Sequence, residues 1–290
     1  MRIDRVAENV FVFISDLYAQ VVSTVLLTEK GAIVIDTLPF PSEAREVLEF
    51  VQDTTEQNAR YVINTHHHAD HVYGTYLFEG AEVISHDQCR DFLERIGQEQ
   101  LERVKKVTPG LAEVKLVLPN VTFQERMGIQ LGQTQLHLFH TPGHTPDGIS
   151  IFIEGEKILV AGDTLMPVPY IVGGNIEQLK RSLLFLKELS PHFIIQGHGP
   201  VLLRGEVDEA IESSISYLSV IVSKVEELIH RGDPPSKLRE IDIESCGKSR
   251  IPLDGLVSKL HLDNLIAVYR MLTQEEDPLP FIQGKPSSSA

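Results

Sequence analysis

The stretch with the clearest chemistry is Thr65-His66-His67-His68-Ala69-Asp70-His71, which is crowded with side chains that bind transition metals. Packing does not explain the pattern, because imidazole and carboxylate groups are poor core groups unless a partner satisfies them. Neutral imidazole suits zinc, iron, copper and nickel. The pattern His-x-His-x-Asp-His therefore predicts a metal site formed by His66, His68, Asp70 and His71.

The sequence around this motif indicates its local geometry. Residues 61–64 form a short apolar run typical of a buried strand, and residues 72–78 fit the start of a helix. In an extended loop, residues two apart face the same side, so His66 and His68 can bind one ion together. A turn near Asp70 would direct Asp70 and His71 towards a second ion. The simpler alternative is a solvated loop that binds metal adventitiously.

Three further ligand-type residues each follow a predicted strand, in loops marked by glycine or proline: His144, Asp163 and His198. Singly, each is more simply explained as a hydrogen-bonded structural residue. Loops at strand ends on one edge of a sheet, however, are where sites form in layered α/β proteins. Four such loops with metal-type ligands together indicate one shared site.

Hydrophobic patterning places these loops between strands and helices. Asp36 ends a predicted strand, where its carboxylate can bond backbone amides of the adjoining loop. From residue 206 onward the pattern is helical. The predicted strands are 10–14, 21–28, 32–36, 61–64, 81–85, 121–131, 134–140, 149–153, 157–161 and 193–195, and the predicted helices are 41–52, 87–106, 175–189, 207–229 and 256–272.

Composition excludes several classes of function. The net charge of −15, from 26 basic and 41 acidic residues, argues against nucleic acid as the main partner. The sequence contains no apolar run of about 20 residues, so we expect no membrane span. The N-terminus lacks the apolar segment of a secretory signal, which favours a cytoplasmic location. Two distant cysteines, Cys89 and Cys246, do not suggest a disulfide framework.

Taken in order, the motifs resemble those of the metallo-β-lactamase superfamily of hydrolases over about residues 1–205. The resemblance depends on four motifs: His66-x-His68-x-Asp70-His71, Pro142-Gly143-His144, Gly162-Asp163-Thr164 and Gly197-His198-Gly199. It implies an α/β fold, a four-layer αβ/βα sandwich with metals at one edge of the paired sheets. Residues 1–205 would form the catalytic domain, 206–283 a helical extension packed on it, and 284–290 a disordered tail.

The resemblance also implies a ligand set. His66, His68 and His144 would bind a first metal, Asp70, His71 and His198 a second, and Asp163 would bridge them. A carboxylate at the bridging position resembles the glyoxalase II, lactonase and phosphodiesterase branches, whereas some β-lactamases have cysteine there. His67 is not a family ligand and is expected behind the ligands or facing solvent. We expect two zinc ions, with iron or manganese as alternatives.

Such a site predicts hydrolysis of a small molecule. Two divalent ions about 3.5–4 Å apart can share a hydroxide that attacks an ester, lactone, thioester, lactam or phosphoester. Asp70 could orient this hydroxide or pass its proton to the leaving group. Residues 166–172 follow the bridging aspartate and are expected to line the pocket. Their apolar character disfavours highly charged phosphates, and Tyr170 is a candidate donor to the oxyanion, although packing explains it more simply.

Two alternatives to a hydrolase stay open: an iron-dependent oxidoreductase similar to persulfide dioxygenases, and a non-catalytic metal-binding protein. A flavin-dependent type is disfavoured, because His68 stands where that type has glutamate. The C-terminal helices could cover the pocket, form a homodimer face or hold substrate with basic side chains. Candidates for that last role are Lys248, Arg250 and Lys259, although solvated charge explains them more simply.

Overall fold

The first of two β-sheets follows the chain in order. In a computed structural model that describes residues 1–55 and 58–274, this sheet has seven strands. The first four strands pair antiparallel and the last four pair parallel. They are β1 (Arg2–Ala7), β2 (Val10–Ile14), β3 (Val22–Thr28), β4 (Gly31–Ile35), β5 (Ala59–Ile63), β6 (Glu82–His86) and β7 (Val121–Phe123).

The second sheet has six strands in the order β13-β12-β11-β10-β9-β8. Every neighbouring pair is antiparallel except β11 and β12, which run parallel. The strands are β8 (Arg126–Leu131), β9 (Thr134–His140), β10 (Ile149–Ile153), β11 (Ile158–Gly162), β12 (Phe193–Gln196) and β13 (Leu202–Leu203).

Helices cover the outer faces of both sheets. A π-helical segment, Leu93–Gly97, joins two of them. Within the described residues, no helix combines the length and the apolar character that crossing a membrane requires. The α-helices are α1 (Pro41–Thr55), α2 (Ala69–Val72), α3 (Asp87–Phe92), α4 (Gln98–Lys105), α5 (Ile176–Glu188), α6 (Val207–His230) and α7 (Val257–Thr273).

Three apolar clusters hold these four layers together. The central cluster lies between the sheets, where alternate strand residues such as Ile33 and Leu138 face each other. On one outer face, Val47 of α1 packs on β4 and β5. On the other, Leu183 of α5 packs on Ile194 of β12. The predicted αβ/βα sandwich is therefore confirmed, since each sheet is buried on both faces.

The segment predicted as one strand, 121–131, is divided between the two sheets. β7 pairs parallel with β6, whereas β8 pairs with β9 in the second sheet. The polar residues Gln124 and Glu125 form the bend between them. Alternation has the same period in either sheet, so the pattern located the extended segments without indicating which sheet each would join. The other predicted strands and helices are found close to their expected bounds.

The C-terminal helices share a core with the sandwich. Tyr217 and Leu218 of α6 and Leu265 of α7 belong to the apolar cluster that covers β11 and β12. We therefore propose that residues 206–274 form an integral part of the fold, packed on residues 1–205. The remainder of the predicted extension, 275–283, and the predicted tail, 284–290, lie outside the described residues.

Truncation of the central core should destabilise the whole sandwich. Leu138 is fully buried between the sheets, so Leu138→Ala should lower the free energy of unfolding by about 2–5 kcal/mol through lost burial and a cavity. Urea denaturation of metal-free protein measures this change. Gln135→Ala, at an exposed position of the same strand, is the control and should change stability by no more than about 0.5 kcal/mol. Equal losses in the two variants would contradict this packing.

Candidate metal centre

All seven predicted ligands meet at one edge of the sandwich. His66 and His68 lie in the loop after β5, and Asp70 and His71 in the short helix α2. The other three follow the ends of β9, β11 and β12, and are His144, Asp163 and His198. Because these strands end at the same edge, residues up to 132 positions apart become neighbours. Whether they bind metal remains a prediction.

The ligand atoms form two adjacent groups. In each group, one nitrogen or oxygen atom per residue lies within 4.8 Å of the others. The first group is His66, His68, His144 and Asp163, and the second is Asp70, His71 and His198. The grouping matches the two sets that the sequence motifs implied.

The Asp163 carboxylate lies between the two groups. Its Oδ2 is 3.3 Å from His144 Nε2 in the first group and 3.5 Å from His198 Nε2 in the second. Its Oδ1 is 3.4 Å from His71 Nε2. One carboxylate thus faces imidazoles of both groups, which is the position that a bridging ligand requires.

Four of the imidazoles are oriented by a hydrogen bond on the side away from the site. In each, Nδ1 donates to an oxygen, which directs Nε2 into the site. The pairs are His66 with Thr65 Oγ1 (3.1 Å), His71 with Asp36 Oδ2 (2.8 Å), His144 with Tyr170 O (2.8 Å) and His198 with Ala19 O (2.9 Å). His68 differs, because its Nδ1 faces His144 Nε2 at 3.1 Å.

Three ligand atoms have no hydrogen-bond partner. His66 Nε2, His71 Nε2 and Asp163 Oδ1 are buried and unpaired. A buried polar atom without a partner costs about 1–3 kcal/mol, so three in one cluster call for an explanation. Divalent cations held by the two groups would satisfy all three, and imidazole and carboxylate are ligands that zinc and iron accept. The residues present therefore fit a metal.

The protonation of the cluster also favours a cation. Burial lowers the pKa of His68 to about 3 and keeps it a neutral ligand. Burial acts in the same direction on His198, but the charges and hydrogen bonds of Asp163 and Asp70 together outweigh it and raise the pKa of His198 to about 10. Burial alone would raise the pKa of Asp163, yet His71 and His198 hold it well below its ordinary value. The carboxylates thus attract positive charge, which protons or metal ions can supply.

Asp36 supports the ligand loop from behind. Its Oδ1 accepts the Thr65 backbone N–H at 2.8 Å, so the amide that it bonds belongs to the loop after β5 and not to the adjoining loop that the sequence indicated. Its Oδ2 accepts the Thr65 hydroxyl and His71 Nδ1, both at 2.8 Å. Neither partner was predicted, because these contacts join residues 29 and 35 positions apart.

Two glycines are required for close approach at the site. At Gly143, next to His144, a Cβ would lie 2.3 Å from the Leu179 backbone, and φ is +144°. At Gly197, a Cβ would lie 1.9 Å from Asp163 Oδ1. Any other residue would displace α5 or the bridging carboxylate, which explains the glycine in both motifs.

His67 points away from the ligands and is anchored by Asp147. Its backbone N–H and its Nδ1 both donate to the buried Asp147 carboxylate at 2.8 Å, and its ring stacks on Phe92. It therefore lies behind the ligand loop, as one of the two expectations had it. Asp147 was missed, although it directly follows the Pro142–Pro146 turn.

Comparison with known proteins agrees with this geometry. The profile of the Metallo-beta-lactamase superfamily matches residues 18–198, a range that includes all seven ligands. The chain belongs to the metallo-beta-lactamase superfamily. The family resemblance that the four motifs indicated is therefore confirmed.

Individual relatives of this superfamily are distant. The Beta-lactamase-like protein 2 homolog of Caenorhabditis elegans is 27% identical over 68% of this chain, which spans 60% of that protein. A hydroxyacylglutathione hydrolase of Pelagibacter ubique is 27% identical over 69% of this chain and 77% of that enzyme. Among solved structures, the sec-alkylsulfatase Pisa1 from Pseudomonas matches 93% of this chain and 50% of its own, with a TM-score of 0.72 and 17% identity. That last likeness concerns the fold alone.

A cavity of about 230 Å³ opens over the ligands of this superfamily member. Met166 and Tyr170 line it, as expected for the loop after Asp163. Lys259 also lines it, whereas Lys248 donates to Ser214 and Arg250 pairs with Glu244 elsewhere. The other lining residues, which the sequence did not predict, are Tyr18, Ala19, Leu253, Leu256, Leu260 and Asp263.

Removing the charge of Asp36 should weaken cation binding by the second ligand group. In Asp36→Asn, an NH₂ group replaces one of the two carboxylate oxygens that together accept three hydrogen bonds. At least one of these bonds and the negative charge are lost, so we expect His71 to lose its fixed orientation. We expect cation affinity to fall 10- to 100-fold, measured by competition with a chromophoric chelator. Asp53→Asn, at an exposed position of α1, should leave it unchanged. Unchanged affinity in Asp36→Asn would show that this carboxylate does not orient the ligand.

Proposed function

We propose that this protein is a hydrolase that uses two divalent cations, with zinc as the first choice. His66, His68 and His144 would hold the first cation, and Asp70, His71 and His198 the second, with Asp163 shared. The observation that carries the proposal is the Asp163 carboxylate between two groups of oriented imidazoles, directly beneath a cavity. Bound cations supply an activated water and polarise the substrate oxygen.

Asp70 is the proposed proton carrier. It belongs to the second ligand group and also lines the cavity, with its Oδ2 3.3 Å from His198 Nε2. A carboxylate in this position can accept a proton from the attacking water and donate it to the leaving group. Asp70 lies in the first turn of α2.

The cavity favours a small carbonyl substrate. Its volume of about 230 Å³ is below the range of about 300–1,000 Å³ found for drug-sized ligands, and much of its wall is apolar. The apolar side chains are Met166, Leu253, Leu256 and Leu260. Apart from the predicted ligands, the charged side chains of the wall are those of Lys259 and Asp263. These features support an ester, lactone or thioester, and the relatives named hydroxyacylglutathione hydrolase make a thioester the first choice.

Two phenols could bind the substrate oxygen. Burial and the nearby Asp263 raise the pKa of Tyr170, and the charge of Asp70 raises the pKa of Tyr18 to about 12. Both hydroxyls are therefore protonated at neutral pH and can donate a hydrogen bond. We propose Tyr170 as the oxyanion donor, as its place in the loop after Asp163 first indicated, and Tyr18 as a second candidate.

Tyr170→Phe tests the oxyanion role. Loss of a donor to developing negative charge should lower kcat by about 10²-fold with little change in KM. Steady-state kinetics on a thioester measure both constants, with Tyr61→Phe, which does not line the cavity, as the control. If Tyr170→Phe matches the control, the hydroxyl only packs. The same measurement on Tyr18→Phe compares the two phenols.

Asp163→Ala tests the paired site itself. Without the shared carboxylate, both cation affinity and turnover should be lost together, whereas Asp91→Ala at an exposed position should retain both. Elemental analysis gives the metal content and separates zinc from the iron of an oxidoreductase. Turnover is followed with a thioester, a lactone, a β-lactam, a phosphodiester and an alkyl sulfate. Two tightly bound ions and full activity in Asp163→Ala would contradict the proposal.

A further inference from the structure

Asn264 of α7 holds the loop that follows Asp163. This side chain is completely buried, and it bonds the loop backbone on both sides of Tyr170. Its Nδ2 donates to the Pro169 carbonyl at 2.6 Å, and its Oδ1 accepts the Ile171 backbone N–H at 2.9 Å. The C-terminal extension therefore reaches the loop that forms one wall of the cavity.

The bond to Ile171 is connected to a proposed metal ligand through one peptide group. The Ile171 N–H and the Tyr170 carbonyl belong to the same trans peptide, so they point in opposite directions. On the far side, the Tyr170 carbonyl accepts His144 Nδ1–H at 2.8 Å. Asn264 and His144 thus bind opposite ends of one planar, rigid unit.

A further hydrogen bond satisfies the remaining N–H of the Asn264 amide. Its second Nδ2–H donates to the Tyr217 hydroxyl at 3.1 Å, which donates in turn to His261 Nδ1 at 2.9 Å. His261 Nε2 donates to the Ile241 carbonyl at 3.0 Å, and burial lowers the pKa of His261 so that it stays neutral, as this arrangement needs. Each donor of this buried chain has an acceptor, and the bonds to Pro169 and Ile171 fix Asn264 against the loop.

We propose that Asn264 is a positioning residue for the cation ligand His144, which it orients through the Tyr170–Ile171 peptide. The inference rests on the proposed function only in taking His144 as a ligand, and it is independent of the substrate. It makes the C-terminal extension a structural part of the first cation site. A purely stabilising role for Asn264 is the alternative to exclude.

A double-mutant cycle separates the two roles. Asn264→Ala, His144→Ala and the double variant are compared for Co²⁺ affinity, by chelator competition, and for stability of the metal-free protein in urea. Amide exchange at Ile171 is followed in the metal-free state. Tyr217→Phe is the matched control, because it removes a buried hydroxyl of the same chain but leaves both bonds between Asn264 and the loop.

We expect Asn264→Ala to lower Co²⁺ affinity about tenfold in the natural chain and less than twofold when His144 is already absent. Ile171 amide exchange should accelerate in Asn264→Ala. Tyr217→Phe should lose stability while its Co²⁺ affinity stays within about twofold of the natural value.

Three results would overturn the positioning role: an equal affinity loss from Asn264→Ala with and without His144, an affinity loss in Tyr217→Phe matching that of Asn264→Ala, or unchanged Ile171 exchange. If His144→Ala alone leaves Co²⁺ affinity unchanged, the proposed first cation site is wrong as well. A failure confined to the substrate panel would leave this inference standing, because none of its measurements uses turnover.

Discussion

The buried carboxylate of Asp163, surrounded by imidazoles from two groups, is the interaction on which the rest of the site depends. A charge taken out of water is stable only when it is paired and hydrogen-bonded. Here the pairing is incomplete, since Asp163 Oδ1 and two imidazole nitrogens have no hydrogen-bond partner. The protein thus gathers nitrogen and oxygen atoms without hydrogen-bond partners around one buried carboxylate. Such a cluster favours the binding of a cation.

The sandwich stabilises this cluster of buried polar atoms, because the supporting hydrogen bonds come from several parts of the fold. Ala19, before β3, orients His198, and Asp36, after β4, orients His71. Strands packed on both faces cannot shift without opening the central core. The predicted ligands therefore keep their geometry even though most of them lie in loops. Loops on a rigid scaffold are where binding residues are commonly found.

The C-terminal helices take part in the same arrangement. Leu253, Leu256 and Leu260 narrow the cavity, and Asn264 bonds the loop that orients His144. One segment therefore contributes to the shape of the proposed substrate site and to the support of a ligand. Its apolar residues belong to the same buried cluster as those of α5.

From the sequence alone, closely spaced motifs indicated which residues meet at this site, because such spacing is a local signal. The resemblance of those motifs to a known family implied the grouping of the predicted ligands and the four-layer fold. Tertiary structure decided which sheet β7 joined, that Ala19 and Tyr170 carbonyls orient ligands, and that Tyr18 and Asn264 border the site. These contacts join residues 179 or 93 positions apart in the chain, such as His198 with Ala19 and Asn264 with Ile171. No local pattern encodes them, because they depend on how separately formed layers come to rest against each other.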